Sequence, residues 1–301
     1  MSALILKSGN ALNAGVVSLD FTSYKNRVLA DGGFIANEQA VKDVFTFIAA
    51  KGITKNEVFS ATAASWGVKM SGDKPALLYS LFGDAGDIVI TAAQGNALFY
   101  NTTRYAMPVI ELKPSGFNLL ETRGVTGSVD SVGLCVIAKS AVLATGAEYG
   151  DTGTLALADL SDQSTPSEVD AKLKAAMYFS RDTNAELSNT FKLRATSHGQ
   201  NGVFVGLSDM SKWLHAATYI TNTTLKTFND GVEVGFDADA AQRGYNSNLK
   251  LTLGRGILNT SPNVTYTDYL YGDIAEAWCL VNTTEAKMQA LSLRASQKYV
   301  G

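Results

Sequence analysis

From about residue 97 to residue 281 the chain consists of short apolar runs, many of them with alternating hydrophobic and polar residues, bounded by Gly, Asn, Asp or Ser. Alternation with a period of two is typical of a strand that buries one face. Strands that follow one another every roughly 8 to 12 residues are typical of a sandwich or barrel. We therefore predict strands at ALFY, MPVIEL, VGLCVIAK, AAMYFS, TFKLRAT, GVFVGL, WLHAATYI, LKTFN, VEVGF, LKLTLG and DIAEAWCLV.

Two stretches have the spacing of helices. Val41, Val44 and Ile48 recur every three or four residues, which predicts a helix from Asn37 to Ala50 with Asn37 as its cap. The apolar positions between Thr284 and Tyr299 predict a closing helix.

The remaining segments have weaker patterns. We expect residues 1–35 to be extended and loop-like, with a strand at GVVSLDF, and we predict strands at EVFSATA, ALLYSLF and DIVITA. Residues 166–174 fit either a helical turn or a loop.

A hairpin is predicted at residues 225–235, LKTFNDGVEVG. Asn, Asp and Gly tolerate the positive φ that tight hairpin turns require, so the chain is expected to reverse at Asn229–Gly231. We expect Leu225, Val232 and Val234 on the inward face of the two arms.

The composition excludes several classes of protein. Of the 301 residues 46% are hydrophobic, so the chain is not a disordered one, and its net charge of -3 gives no electrostatic basis for binding nucleic acid or an anionic membrane. No signal peptide and no membrane helix are expected. Cys135 and Cys279 each lie in an apolar run, which favours buried free thiols over a disulfide.

The sequence shows no catalytic constellation and no cofactor motif. The nearest carboxylate pairs are Asp237 with Asp239, at a strand end, and Asp273 with Glu276, whose odd spacing points them to opposite faces of a regular strand. A catalytic triad or zinc site would need partners that the spacing around the two histidines does not offer. We expect no metal site, although some loop acids suit calcium: Asp151, Asp159, Asp162, Asp182 and Asp209.

The C-terminal 90 residues resemble the concanavalin A-like, laminin-G-type jelly-roll family. The resemblance lies in WLHAATYITNTTLKTFNDGVEVG, LKLTLGRG and YLYGDIAEAWCLVNTTEAKMQAL. It implies a fold that is mainly β, with a small N-terminal α+β segment followed by a concanavalin A-like jelly-roll β-sandwich and a C-terminal helix. The matching residues are Trp213, His215, Leu225, Asp230, Gly231, Leu253, Gly254, Arg255, Gly272, Ile274, Ala275, Glu276 and Leu291.

The N-terminal third resembles a segment of tailed-bacteriophage structural proteins, in which Y-x-x-R-V-x-A-D-G-G precedes a Glu and a helix. The matching residues are Tyr24, Arg27, Val28, Ala30, Asp31, Gly32, Gly33, Glu38, Lys69, Leu78, Tyr79 and Asp87. This resemblance implies a virion protein that contacts other virion proteins and copies of itself. We expect residues 1–96 to serve assembly and residues 97–301 to form the jelly roll.

Aromatic residues in polar loops are the candidate ligand contacts. Trp66, Trp213 and Trp278 fall in apolar runs and are expected in the core, whereas polar, aromatic loops are typical of recognition surfaces. The predicted glycan contacts are Tyr245, Asn246, Tyr266, Tyr269 and Tyr271.

The sequence thus favours a non-enzymatic tail or fibre protein of a phage virion that adheres to host-surface polysaccharide. A head decoration or head-fibre protein, and a free-standing carbohydrate-binding module, stay open as alternatives.

Overall fold

A computed structural model shows two antiparallel β-sheets packed face to face, with helices on the outer side of one sheet. The structure describes residues 20–92, 98–112, 118–127, 129–140, 152–159, 173–181, 191–196, 203–207, 212–221, 223–237, 248–253 and 272–299. Together these segments confirm a mainly β fold.

Sheet A has ten strands, in the order β1-β3-β4-β5-β8-β17-β10-β11-β12-β13. They are β1 (Phe34–Ile35), β3 (Gly67–Ser71), β4 (Lys74–Leu78), β5 (Ile88–Ala92), β8 (Asn118–Thr122), β10 (Thr152–Asp159), β11 (Leu173–Arg181), β12 (Phe191–Thr196), β13 (Val203–Leu207) and β17 (Leu249–Leu253).

Sheet B has eight strands, with seven in the order β16-β15-β14-β9-β18-β7-β6 and β2 paired beside β18. They are β2 (Val58–Ala63), β6 (Leu98–Asn101), β7 (Val109–Leu112), β9 (Val132–Ser140), β14 (Leu214–Ile220), β15 (Leu225–Asn229), β16 (Val232–Asp237) and β18 (Gly272–Val281). The alternation of the sequence thus predicted most of these strands; β1, β3, β8 and β10 were not predicted.

The two predicted helices are confirmed. Helix α2 (Glu38–Ala50) is capped by the Asn37 side chain, which accepts a hydrogen bond from the Ala40 N–H, and helix α3 (Glu285–Lys298) follows β18. A further helix, α1, covers residues 20–30, so the prediction of extended chain is wrong there. Its buried residues, Tyr24 and Val28, are four residues apart, which is a helical spacing. Two apolar positions separated by polar residues were too few to predict the helix.

Two hydrophobic layers hold the fold. One lies between the sheets and includes Leu134, Val136 and Leu251, which are fully buried. The other lies on the outer face of sheet B, where the helices cover Trp66 and Trp278. The indoles of Trp66 and Trp278 meet edge to face, with centroids 5.6 Å apart. The centre of sheet B is therefore buried on both faces, which explains why β18 is buried along its whole length.

The strands of the N-terminal third lie in the same two sheets as the rest of the chain. Strand β2 pairs with β18 from Glu276 to Leu280, and β5 pairs with β8. Val68 and Ile88 belong to the layer between the sheets. The division of roles between residues 1–96 and 97–301 stays a prediction.

The hairpin turns where the sequence predicts it. Asn229 pairs with Val232, and the two residues between them, Asp230 and Gly231, have φ values of 53° and 78°. Leu225 is buried as expected, but Val232 and Val234 are 62% and 38% exposed, so the two valines do not join the core as expected. The reason is that β16 is the edge of sheet B and carries an irregularity opposite Thr227 and Phe228.

The two cysteines are free and buried, as predicted. Cys135 packs in the layer under the helices, whereas Cys279, on the neighbouring strand, packs between the sheets. They therefore point to opposite faces of sheet B and cannot form a disulfide with each other.

Candidate functional site

The residues of the N-terminal motif meet in one polar network. Arg27 Nη1 donates to both carboxylate oxygens of Asp87, at 3.0 and 2.8 Å, and its Nη2 donates to the Ser80 carbonyl. The Tyr79 hydroxyl donates to Asp31 at 2.7 Å, and the Tyr24 hydroxyl donates to the Tyr79 carbonyl. The motif thus ties α1 to the strands of sheet A.

Burial sets the electrostatics of this network. Asp87 is fully buried, and desolvation raises the pKa of its carboxyl even though Arg27 opposes that shift. Gly33 lies against the Tyr79 ring, where a Cβ atom would come within 2.5 Å of Cε2. The motif residues therefore bind one another and are explained by packing.

Three residues of the jelly-roll motif, His215, Asp230 and Gly231, form a second network with Ser292 of α3. His215 Nδ1 and Asp230 Oδ1 are 2.7 Å apart. The Ser292 hydroxyl accepts from the Gly231 N–H and donates to the His215 carbonyl, not to the imidazole. These residues therefore have no triad geometry, and they hold the helix on the sheet.

Glu276 is the most heavily used carboxylate in the described part of the chain. It is fully buried and accepts from Arg294, Lys298, the Tyr299 hydroxyl and the Trp278 indole. Although burial alone would raise it, these partners hold the pKa of Glu276 far below its usual range.

The expectation that Asp273 and Glu276 point to opposite faces is wrong. Asp273 pairs with Lys139 and Glu276 with Ile137, so an extra residue, Ala275, is inserted between them. This bulge resets the alternation and brings both carboxylates to the outer face. Sequence spacing alone does not reveal a bulge.

A third cluster lies on the outer face of sheet B, beyond the helices. Glu111 on β7, Asp273 on β18 and Lys139 on β9 are direct neighbours across the sheet. We call this group the outer-face cluster; its members are Arg104, Tyr105, Glu111, Lys139, Trp213 and Asp273.

Arg104 bridges the facing carboxylates of Glu111 and Asp273. Its Nη1 is 3.1 Å from Asp273 Oδ2 and its Nη2 is 3.0 Å from Glu111 Oε1, so one guanidinium bridges two carboxylates that would otherwise repel. Asn101 shapes the turn, because its Oδ1 accepts from the Thr103 and Arg104 N–H groups. The Arg104 side chain remains 48% exposed, so its outer edge is open to solvent.

The aromatic half of the cluster stands beside these charges. The Tyr105 hydroxyl donates to Asp273 at 2.6 Å, and burial together with this bond raises the pKa of Tyr105 to about 12. The Trp213 ring meets Tyr105 and Tyr299, with centroids 5.1 and 5.9 Å away. Trp213 is partly buried and packs against a buried hydrophobic cluster, whereas Trp66 and Trp278 are fully buried as predicted. Trp213 lies directly before β14 in an apolar run, so the sequence does not show that it is partly exposed.

The predicted glycan contacts Tyr245, Asn246, Tyr266, Tyr269 and Tyr271 lie outside the described residues. So do most of the loop acids considered for calcium. Within the described residues no group of three or more His, Cys, Asp or Glu side chains is arranged to hold a metal ion. No helix in that part of the chain has the length and apolar character needed to cross a bilayer.

Comparison with known proteins gives a fold but no family. No family model and no curated protein matches the sequence. Among solved structures, the binding domain of botulinum neurotoxin serotype D is similar, with a TM-score of 0.50 at 8% identity, covering 83% of this chain and 53% of that chain. A GH54 α-L-arabinofuranosidase also has a TM-score of 0.50, at 12% identity, covering 83% and 64%.

A third similar structure is domain 4 of a GH43 extracellular arabinanase from Geobacillus stearothermophilus, with a TM-score of 0.46 at 13% identity, covering 79% of this chain and 98% of that chain. At these identities the likeness concerns the fold alone. The chain is accordingly a mainly β protein with the two antiparallel sheets of a jelly-roll sandwich and a C-terminal helix.

Proposed function

We propose that this chain is a non-enzymatic structural protein of a tailed-phage virion, whose sandwich is displayed outward and contacts glycans on the host surface. The virion part rests on the N-terminal resemblance. The matched residues Arg27, Asp31, Tyr79 and Asp87 contact one another, which gives the motif a packing role in this fold. A tail or fibre protein is the preferred component, and a head decoration protein is the alternative.

The proposed binding of glycans rests on the outer-face cluster. Sugar rings stack their C–H faces on aromatic side chains, and their hydroxyl groups need both donors and acceptors. Trp213 offers a partly exposed ring, and Arg104 offers guanidinium N–H groups next to the carboxylates of Glu111 and Asp273. The solved structures that share the sandwich include a toxin binding domain and an arabinofuranosidase, which is consistent with this role.

The charges of the cluster favour a neutral saccharide. The formal charges of Arg104 and Lys139 balance those of Glu111 and Asp273, so the surface has no excess of either sign with which to attract a charged polymer. Because Arg104 is already bound to both carboxylates, its geometry is fixed before a ligand arrives. Such preorganisation lowers the entropy cost of binding.

The same bridging argues against hydrolysis at this site. Facing carboxylates on neighbouring strands approach the separation used by retaining glycosidases, roughly 5 Å. Both carboxylates, however, accept hydrogen bonds from Arg104, and Asp273 accepts a further one from Tyr105, so their oxygens are bound by fixed donors of the protein. We therefore assign the cluster to binding.

Binding of the purified chain to isolated host-surface polysaccharide tests this proposal. We expect Trp213→Ala to weaken binding about fivefold or more, taking the roughly 1–3 kcal/mol of base–aromatic stacking as the guide, while Trp213→Phe retains most of the binding. Leu29→Ala, at an exposed position on α1, is the matched control and is expected to bind like the parent chain. Equal binding by Trp213→Ala and the parent would remove the cluster from the proposal, and release of sugar products would contradict the non-enzymatic assignment.

A further inference from the structure

Exposed apolar side chains are concentrated at one corner of the described structure. Val232, Val234 and Phe236 on β16 are 62%, 38% and 54% exposed, and Leu293 on α3 is 45% exposed. Leu293 lies beside the hairpin turn, because a Cβ atom on Gly231 would come within 2.6 Å of the Leu293 Cβ. A group of exposed apolar side chains marks an interaction surface more often than isolated exposed residues do.

Strand β16 is also an edge. Within the described strands it is hydrogen-bonded to β15 alone, and β13 at the edge of sheet A is the other strand that comes close to it. Such an edge is a template for pairing with a further strand. β16 carries no Lys or Pro, but its extra residue opposite β15 and its charged Glu233 and Asp237 are features that native sheets use to limit such pairing.

The irregularity in β16 fixes which residues share a face. Phe228 packs under the helices and Lys226 reaches Glu285 of α3, so both point to the outer face. Their cross-strand neighbours, Glu233 and Phe236, therefore point outward as well. Val232 and Asp237, at the two ends of β16, point to the inner face.

We propose that β16 pairs antiparallel with β16 of a second copy of this chain, across a twofold axis that passes between Val234 and Gly235. In this register Glu233 lies opposite the partner's Phe236, and Val232 lies opposite the partner's Asp237. Outer residues thus face outer residues and inner residues face inner ones. A shift by one residue would set Glu233 opposite an inner residue, which a pleated sheet does not allow.

Charge supports the same register. Lys226 Nζ lies 5.6 Å from the centroid of the Phe236 ring and 3.1 Å from Glu233. Because the partner's Glu233 would lie opposite Phe236, Lys226 can also reach that carboxylate. No two carboxylates lie directly opposite each other in this pairing, so the like-charge repulsion that destabilises strand pairs is avoided.

The twofold pairing makes an isologous dimer and joins the two copies of sheet B into one continuous sheet. It rests on the proposed function only in that a virion protein is expected to contact its own copies. The dimer is measured in solution, so a chain that dimerises but is absent from virions would refute the proposed function and leave this inference intact.

Sedimentation velocity over a range of concentrations tests whether the full chain dimerises. We expect a concentration-dependent dimer for the parent chain and at least a tenfold weaker dimer for Phe236→Lys, which changes an exposed side chain. Leu29→Lys is the matched control at a distant exposed apolar position and is expected to dimerise like the parent. A parent chain that is monomeric throughout, or a dimer weakened by Leu29→Lys and not by Phe236→Lys, would overturn the proposal.

Disulfide trapping tests the register. Glu233→Cys and Phe236→Cys variants, mixed in equal amounts under mild oxidation, should form disulfide-linked dimers, while each variant alone should form few. The native thiols do not interfere, because Cys135 and Cys279 are buried. Equal crosslinking by each variant alone, or none in the mixture while the chain is dimeric, would contradict this pairing.

Discussion

Arg27 on α1 and Asp87, 60 residues further along the chain, form a two-point ion pair in which one guanidinium nitrogen binds both carboxylate oxygens. Asp87 also accepts from the Ser80 N–H at 2.8 Å. This single buried carboxylate therefore fixes a helix and two segments of sheet A relative to each other. It gives a physical reason for the Arg and Asp of the N-terminal motif.

Removal of Arg27 should destabilise the whole protein. Arg27→Ala leaves the fully buried Asp87 charge without its partner. We expect the free energy of unfolding to fall by about 3 kcal/mol. This value is near the lower end of the range for broken buried ion pairs, because Arg27 is partly exposed. Lys25→Ala is the control, since the Lys25–Glu38 pair is exposed and should contribute less than about 1 kcal/mol. Urea unfolding of both variants measures the difference, and equal losses would contradict this assignment.

Glu276 should make the stability of the protein depend on pH. Its folded-state pKa is lowered, so it stabilises the fold at pH values above its unfolded pKa of about 4.3, and this contribution is lost as the pH falls below that value. Glu276→Gln should unfold more easily at pH 7, because Arg294 and Lys298 lose their charged partner, and the gap to the parent should narrow toward pH 3. Urea midpoints at several pH values test this; a constant gap would show that the carboxylate charge is not what matters.

The two native cysteines should be inert in the folded protein. Burial raises the pKa of both thiols, so neither forms the reactive thiolate at neutral pH. We expect no reaction of Cys135 or Cys279 with a thiol reagent until the chain is unfolded in urea. Gln297→Cys, on the exposed side of α3, should react at once and serves as the control. Fast labelling of the native chain would contradict the burial.

Neither part of the chain should fold well alone. Residues 1–95 lack β18, the strand to which β2 pairs, and residues 97–301 lack β2 and its side chains in both hydrophobic layers. We expect residues 1–95 to melt without cooperativity, measured by circular dichroism against the full chain. A cooperative melt of that fragment would show that the N-terminal third is a self-sufficient domain.

The sequence predicts what depends on local pattern and misses what depends on tertiary context. Asn229–Gly231 specified its own turn, and the apolar run around Cys135 specified a buried strand. Alternation does not show that an extra residue at Ala275 turns Glu276 to the face of Asp273, or that β16 lies at an edge.

The candidate site was the hardest part to predict for the same reason. Its residues come from a loop and from four separate strands or strand ends. Tyr105 and Arg104 are 168 and 169 residues away in the chain from Asp273, which both of them contact. No local spacing encodes such contacts. The sequence does show one unusual feature at this site, which is that Asp273 lies at the start of an otherwise apolar strand.

The most direct measurement of the central claim is immunogold labelling of purified particles of the phage that encodes this chain, with an antibody against the sandwich. We predict labels on the outside of the particle, at the tail tip or fibres. Labels over the head would identify a decoration protein instead. Particles without any label, from a preparation in which the antibody binds the purified chain, would contradict the virion assignment and favour a free-standing carbohydrate-binding protein.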